Sequence, residues 1–139
     1  MTDRHQLAHA TFNIYQDIEP PEFWTSYFGV SPSRAGAKGQ QRVMASGRVS
    51  EYPWRQGTWS LSSGLVVESD ELTPHLRYLV DRLALPRADL RGLVERTGAR
   101  MRFFCYWMNE SGDRVPDVPD DIRMMMEAMG GTVEIDEYR

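Results

Sequence analysis

The side chains that could perform chemistry are few, and they do not combine into a catalytic set. His5, His9 and His75 have no pairwise spacing typical of a metal site, and a single cysteine, Cys105, cannot build a zinc centre. The serines of residues 60–63 lie in no nucleophile elbow, and the sequence assigns them no base. We therefore predict no catalytic residue, no metal and no cofactor. Cys105 is interpreted as a buried core residue, and His75 as a partly buried residue with a hydrogen-bonded ring.

Charge is distributed unevenly along the chain. The 139 residues carry a net charge of −4, but five basic residues stand against one acid in residues 31–60, and four arginines against nine acids in residues 101–139. The overall acidity disfavours general nucleic-acid binding, which needs a dense basic surface. No apolar run reaches the roughly 20 residues of a membrane span, and the N-terminus lacks the apolar stretch of a signal peptide. Because one cysteine allows no internal disulfide, we expect a cytoplasmic protein.

The elements that must position these residues are predicted from apolar periodicity. Alternation predicts strands at 8–17, 99–109 and 132–138, and a hairpin with arms at 42–51 and 58–62. Helical spacing with start and stop signals predicts helices at 21–28, 72–83, about 87–97 and 120–129. Residues 31–41 are predicted to be a loop.

This series of elements predicts a single α+β domain over residues 1–139, with residues 1–7 as a frayed N-terminus. The order β-α-β-β-α-α-β-α-β favours one twisted, mostly antiparallel sheet of four or five strands with helices packed on one face. The arrangement resembles a ferredoxin-like plan, although the order of the strands in the sheet stays open.

Aromatic, basic and acidic side chains supply the candidates for binding. Trp54 lies in a turn beside Arg55, where it is either an exposed anchor or a lid folded over the sheet edge, and Trp59 follows closely. Six acids of the last third would steer a basic partner, namely Asp113, Asp117, Asp120, Asp121, Glu134 and Asp136. Those within residues 117–121 also suit helix capping. An alternative site, for an anion, combines Arg34, Lys38 and Trp59.

Several short blocks resemble a known family. They are the strand around 10–12, the segment 28–34 with its Pro-Ser-Arg turn, residues 38–39, the block Trp-Ser-Leu-Ser-Ser at 59–63, the helix start at 72–76 and the closing residues 134–138. Together they cover nearly the whole chain and are similar to the bacterial domain of unknown function 4279 family. Gly36 departs from an aromatic residue expected shortly after Arg34. The resemblance implies a single domain in the bacterial cytoplasm, and it implies no activity.

These observations favour a non-enzymatic binding protein. By analogy in size, charge and compartment, we expect another protein as the partner, in the most concrete form a bacterial toxin that an immunity-like protein neutralises. The alternative is a small-ligand sensing or regulatory module that binds an anion. We expect no nucleic-acid partner and no membrane partner, and a homodimer formed through a sheet edge stays open.

Overall fold

The computed structural model describes residues 7–44 and 46–139, which form five strands and four helices. Along the chain these are β1 (Ala8–Tyr15), α1 (Pro21–Phe28), β2 (Arg34–Gly36), β3 (Thr58–Ser62), α2 (Leu72–Leu83), α3 (Leu90–Thr97), β4 (Arg100–Met108), α4 (Asp120–Ala128) and β5 (Thr132–Tyr138). The predicted α+β class and the predicted order of elements are confirmed. Of the segment predicted to fray, residues 1–6 lie outside the described residues.

The five strands belong to one open sheet in the order β2-β3-β1-β4-β5. The central strand β1 is antiparallel to both β3 and β4, and β2 is antiparallel to β3. β5 runs parallel to β4, and α4 supplies the crossover connection that a parallel pair needs. The prediction of a single, mostly antiparallel sheet is therefore confirmed, with one parallel pair at an edge.

The hydrophobic core lies between one face of the sheet and the four helices. Alternate residues of β1 from Ala8 to Ile14 are buried, and so are the residues that lie opposite them in β4, from Met101 to Trp107. The apolar sides of the helices cover them, as the spacing of the buried leucines in α2 illustrates: Leu72, Leu76, Leu79 and Leu83. Packing of this kind leaves the second face of the sheet without a helix in the described part of the chain.

The predicted hairpin arm at 42–51 is wrong. The partner of β3 is instead β2, Arg34–Gly36, which lies in the segment predicted to be a loop. Residues 42–44 and 46–51 instead contain only an isolated bridge between Val43 and Val49, both of which are exposed. The physical reason is burial, because the polar 42–51 segment has no apolar face, whereas Ala35 of β2 packs against the core.

Gly57 allows two backbone segments to approach closely where β1 ends and β3 begins. The Gln16 N–H donates to the Gly57 carbonyl at 3.0 Å, and the Gly57 N–H donates to the Asp17 carboxylate at 2.9 Å. A Cβ at position 57 would lie 1.8 Å from the carbonyl oxygen of Gln16. Since that oxygen belongs to the backbone of a paired segment, residue 57 has to be glycine.

We expect Gly57→Ala to lower the free energy of unfolding by about 1–3 kcal/mol, because the added methyl group forces the two segments apart. Gly92→Ala is the matched control, since Gly92 lies inside α3 and nothing lies within 4 Å of a Cβ there. The control should raise stability by about 0.5–1 kcal/mol, the usual gain of alanine over glycine in a helix. Urea unfolding measures both variants, and equal stabilities would contradict the close approach.

Candidate binding surface on the open face of the sheet

Alternate residues of all five strands form the face of the sheet that no described helix covers, and we call this surface the open face. Its members are Arg34 and Gly36 on β2; Thr58, Ser60 and Ser62 on β3; His9, Thr11, Asn13 and Tyr15 on β1; Arg100, Arg102, Phe104, Tyr106 and Met108 on β4; and Thr132, Glu134, Asp136 and Tyr138 on β5. Tyrosine and arginine, which are enriched where proteins bind one another, are frequent among them.

Three rings in contact occupy one end of the open face. His9 is stacked on Tyr106 with 4.7 Å between ring centroids, and Tyr106 packs against Tyr138 at 5.1 Å. Burial, and to a lesser extent the nearby His75, lowers the pKa of His9, so that its ring is neutral at pH 7. The Tyr138 hydroxyl donates to the Asp136 carboxylate at 2.6 Å. The result is an apolar strip with hydrogen-bonding groups along its edge.

At the other end of the open face, Arg102 contacts the side chains around it. Its guanidinium lies 4.6 Å from the centroid of the Phe104 ring and 5.3 Å from that of Tyr15. Nη2 donates to the Tyr15 hydroxyl at 2.9 Å, and Nη1 lies 3.2 Å from Oε1 of Glu134. The Nε–H is buried and has no acceptor among the described residues. Arg102 is thus held in one position while one of its donors stays unused.

A cavity of about 450 Å³ opens beside Arg102. Its polar lining consists of the side chains of Tyr15, Gln56, Arg100, Arg102, Thr132 and Glu134. Arg100 Nη2 donates to Oε1 of Gln56 at 3.0 Å. The volume is in the range of small-ligand sites, so this end of the open face combines a cavity with convergent polar groups.

Trp54 is folded over the β2 edge of the open face. Its indole lies so close to Gly36 that a Cβ there would be 2.1 Å from Cε2 and Nε1 of the ring. The guanidiniums of Arg34 and Arg42 lie 4.7 and 5.0 Å from the ring centroid. Of the two placements that the sequence left open for Trp54, the structure therefore shows the lid folded over the sheet edge and not the exposed anchor. Arg55 next to it is exposed.

The anion site predicted from Arg34, Lys38 and Trp59 is not assembled, and this prediction is corrected. Trp59 is 0% exposed on the helix side of the sheet, where its Nε1–H donates to the Thr25 hydroxyl at 3.0 Å. Because Arg34 belongs to the open face, the two side chains lie on opposite sides of the sheet. Lys38 pairs with Asp17 at 3.6 Å. The burial of Trp59 also removes it from the predicted protein-binding residues.

The six acids predicted to steer a partner are divided between two surfaces. Glu134 and Asp136 lie on β5, at the opposite edge of the open face from Trp54, about 19 Å away by four strand spacings. The other four precede α4 or lie in its first turn, beyond the open face: Asp113, Asp117, Asp120 and Asp121. Among these, Asp121 forms an ion pair of 2.7 Å with Arg77 of α2. The predicted residues therefore do not form one continuous patch.

Asp117 caps α2 although it lies far away in the sequence. Its two carboxylate oxygens accept the N–H groups of Leu72 at 2.7 Å and Thr73 at 2.9 Å, and the Thr73 hydroxyl donates to the Asp117 carbonyl at 3.0 Å. Burial alone would raise the pKa of Asp117, but the hydrogen bonds from Thr73 and Leu72 outweigh burial and lower it. Asp117 is thus a helix cap, although it caps α2 and not α4, the helix that it precedes in the sequence.

The structure joins Ser63 to a base that the sequence analysis missed. Ser63 Oγ lies 2.7 Å from Nδ1 of His75, and Nε2 of the same ring lies 2.8 Å from the Ser69 carbonyl, to which it donates. Ser63 Oγ also accepts the Ala10 N–H at 3.0 Å. Ser63 and His75 are 0% and 1% exposed, so the pair joins β1, the loop after β3 and α2 inside the protein. His75 is hydrogen-bonded as predicted, but it is fully rather than partly buried.

Cys105 is also a core residue, as predicted. It is buried in the middle of β4, and burial raises the pKa of its thiol to about 12. The side chain is therefore a neutral thiol at pH 7. Within residues 7–44 and 46–139, no group of three histidine, cysteine or acidic side chains is placed to hold a metal ion.

Comparison with known proteins identifies the family. The profile of a family described as domain of unknown function (DUF4279) matches residues 5–139. The chain belongs to the DUF4279 family. No significant match is found among curated proteins or among solved structures. In the part of this DUF4279 protein that the structure describes, no helix is both long and apolar enough to cross a membrane.

We expect Ser63→Ala to lower the free energy of unfolding of this DUF4279 protein by about 1–3 kcal/mol, because it leaves the Ala10 N–H and Nδ1 of His75 buried without their partner. Ser62→Ala is the control, since its hydroxyl accepts only the N–H of Gly64, at 3.2 Å, in a half-exposed position. We expect Ser62→Ala to change the free energy of unfolding by no more than about 0.5 kcal/mol. Chemical denaturation compares the two, and equal losses would argue against the buried pair.

We expect Asp117→Ala to lower the free energy of unfolding by about 0.5–2 kcal/mol at pH 7, which is the usual effect of removing a helix cap. Because the pKa of Asp117 is lower in the folded protein than its unfolded value of about 3.9, the stabilisation is complete above that value. It is lost as the pH falls through the folded pKa. Thermal unfolding at pH 7 and pH 3 should therefore show a smaller difference from the parent protein at pH 3.

Asp113→Ala is the control for this pH dependence, because exposed Asp113 accepts a hydrogen bond from Ser111 and caps no helix. Its effect should be small at both pH values. An Asp117→Ala effect that is equally large at pH 3 and pH 7 would show that the ionised carboxylate is not the cap.

Proposed function

We propose that this protein is a non-enzymatic binding protein that contacts another protein through the open face. The observation that carries the proposal is the placement of tyrosine, arginine and acidic side chains on a sheet face that no described helix covers. In a sheet of this kind the exposed side is usually polar, whereas Phe104, Tyr106 and Met108 make this one partly apolar. Such a surface combines anchors with a polar surround, as protein interfaces do.

The dimensions of the open face suit a protein partner. Four strand spacings of about 4.8 Å give a width of about 19 Å, and the nine residues of β4 give a length of about 30 Å. A surface of this size, with the flanking loops, approaches the roughly 800 Å² that each partner contributes to a standard interface. One partner could therefore contact both Trp54 at the β2 edge and the acids of β5.

The charges on the open face support a protein partner over nucleic acid. Arg34, Arg100 and Arg102 share the face with Glu134 and Asp136. The two carboxylates would repel a phosphate backbone, which gains its affinity from basic groups. Charges of both signs instead specify the orientation of a partner that carries the complementary pattern.

In its most concrete form, the proposal is an immunity-like protein of the bacterial cytoplasm that neutralises a toxin encoded beside it by covering the toxin's surface. Small size, net acidity and a mixed polar and aromatic face support this form by analogy. Small-ligand sensing is the second candidate, and it is favoured by the cavity beside Arg100 and Arg102 rather than by the residues predicted from the sequence.

Alanine substitution tests the open face. Tyr138→Ala and Tyr106→Ala should each weaken partner binding about 30-fold or more, as expected when an interface anchor is removed. Met124→Ala is the control, because Met124 is an exposed apolar residue on α4, on the other side of the sheet. Isothermal titration calorimetry measures affinity, and thermal unfolding confirms that each variant is folded. Equal affinities of all three variants would exclude the open face as the interface.

Co-expression tests the immunity-like form. Products of neighbouring genes are expressed with and without this protein in a sensitive bacterial host. We expect one of them to be toxic alone, tolerated with the parent protein and toxic again with Tyr138→Ala, but tolerated with Met124→Ala. If no neighbouring product is toxic or binds the protein in a pull-down, the immunity-like form is wrong.

A further inference from the structure

The cavity at the Tyr15 end of the open face has more positive than negative charge. Two guanidiniums, those of Arg100 and Arg102, line it together with one carboxylate, that of Glu134. Glu134 is paired with Arg102. Arg100 has a neutral partner, Gln56, and no described carboxylate lies within ion-pair distance of it. The cavity therefore retains one uncompensated positive charge.

The local backbone keeps these two cations next to each other. Arg100 and Arg102 are two residues apart on β4, so their side chains leave the same face about 7 Å apart. Both lie near the ring of Tyr15, at 5.9 and 5.3 Å from its centroid. Like charges on one strand face are unfavourable unless an anion lies between or beside them.

Unused hydrogen-bond donors border the same cavity. The Nε–H of Arg102 is too deeply buried to reach a ligand there, so it is not one of them. The Tyr15 hydroxyl accepts from Arg102, and among the described residues no acceptor takes its own proton. Together with the free N–H groups of Arg100, the Tyr15 hydroxyl proton could hydrogen-bond a small planar anion in the cavity.

We propose that this cavity binds a carboxylate group, with Arg100 as its main cationic partner and the Tyr15 hydroxyl as an additional donor. The inference rests on the proposed function in one respect, because it takes the open face to be a contact surface. The carboxylate belongs either to the protein partner, as a chain end or an acidic side chain, or to a free small molecule. A guanidinium recognises it through two parallel hydrogen bonds in either case.

The charge balance favours a carboxylate over a phosphate group. One uncompensated positive charge matches the single negative charge of a carboxylate, whereas a phosphate monoester carries about 1.5–2 negative charges at pH 7. Glu134 lines the same cavity and would repel the excess charge. A volume of about 450 Å³ also accommodates a group as large as one amino-acid residue.

Binding of N-acetylphenylalanine, compared with N-acetylphenylalanine amide, tests the proposal without any partner protein. A free ligand of this size should bind with a Kd of about 1 mM, and the amide at least about 10-fold more weakly, since it lacks the charge. Two-dimensional NMR of the 15N-labelled protein should show shifts for Arg100, Arg102 and Thr132. Arg100→Ala should abolish them, whereas Arg82→Ala, an exposed arginine on α2, should not.

Comparison of the acid, the amide and inorganic phosphate tests the site, and the effect of Arg100→Ala on the protein partner shows where the carboxylate comes from. Equal shifts with the acid and the amide, or none with either, would overturn the proposal, and so would tighter binding of inorganic phosphate. If the acid binds and Arg100→Ala also weakens the protein partner, the carboxylate comes from that partner; if the partner is unaffected, the ligand is a free carboxylate. Since the titration needs no partner, its failure is separate from a failure of the open-face variants to alter protein binding.

Discussion

The alternation of side chains along β1 determines which side of the sheet is buried. β1 is paired on both sides, and its residues at even positions, including Phe12 and Ile14, lie in the core, while His9 and Tyr15 lie on the open face. Because the side-chain period of a strand is two, a shift of one residue would exchange the two sets. β3 and β4 follow the same alternation through their pairing with β1. The helices can therefore pack on one face only, and most of the polar and charged side chains of the strands lie on the other.

On a sheet face without helices, the polar side chains must find their hydrogen-bond partners among themselves. This requirement explains why the side chains of the open face contact one another. Arg102 is held between aromatic rings and the Glu134 carboxylate, and Tyr138 is tied to Asp136. These contacts limit the rotamers of long side chains before any partner arrives. Binding of a partner would then cost less side-chain entropy than binding to freely moving arginines and tyrosines would. The contacts that stabilise the uncovered face would therefore also prepare it for the binding proposed above.

Most of the architecture could be predicted from the sequence, because the helices and the long strands have their own apolar periods. β2 could not, since three residues are too few to show alternation. The contacts that define the surface are also non-local. Trp54 fills the space beside Gly36, Asp117 caps a helix that begins 45 residues earlier, and Ser63 meets His75 across a loop. Such pairs leave no local pattern. The sequence identified the acids and Trp54 as candidate binding residues. It could not give the distance between them, because that distance depends on strand order.

Strand order also decides what the uneven charge along the chain can do. The basic central segment supplies Arg34 and Arg42 at the β2 edge, and the acidic last third supplies Glu134 and Asp136 at the β5 edge, so the two do not neutralise each other. A partner lying across the open face meets Arg34 near the β2 edge and, at the β5 edge, the Asp136 carboxylate beside the ion pair of Arg102 and Glu134. If that partner were turned by 180° about the normal to the sheet, like charges would face each other and the affinity would fall. For the protein partner proposed above, this pattern of charges would favour one orientation on the sheet.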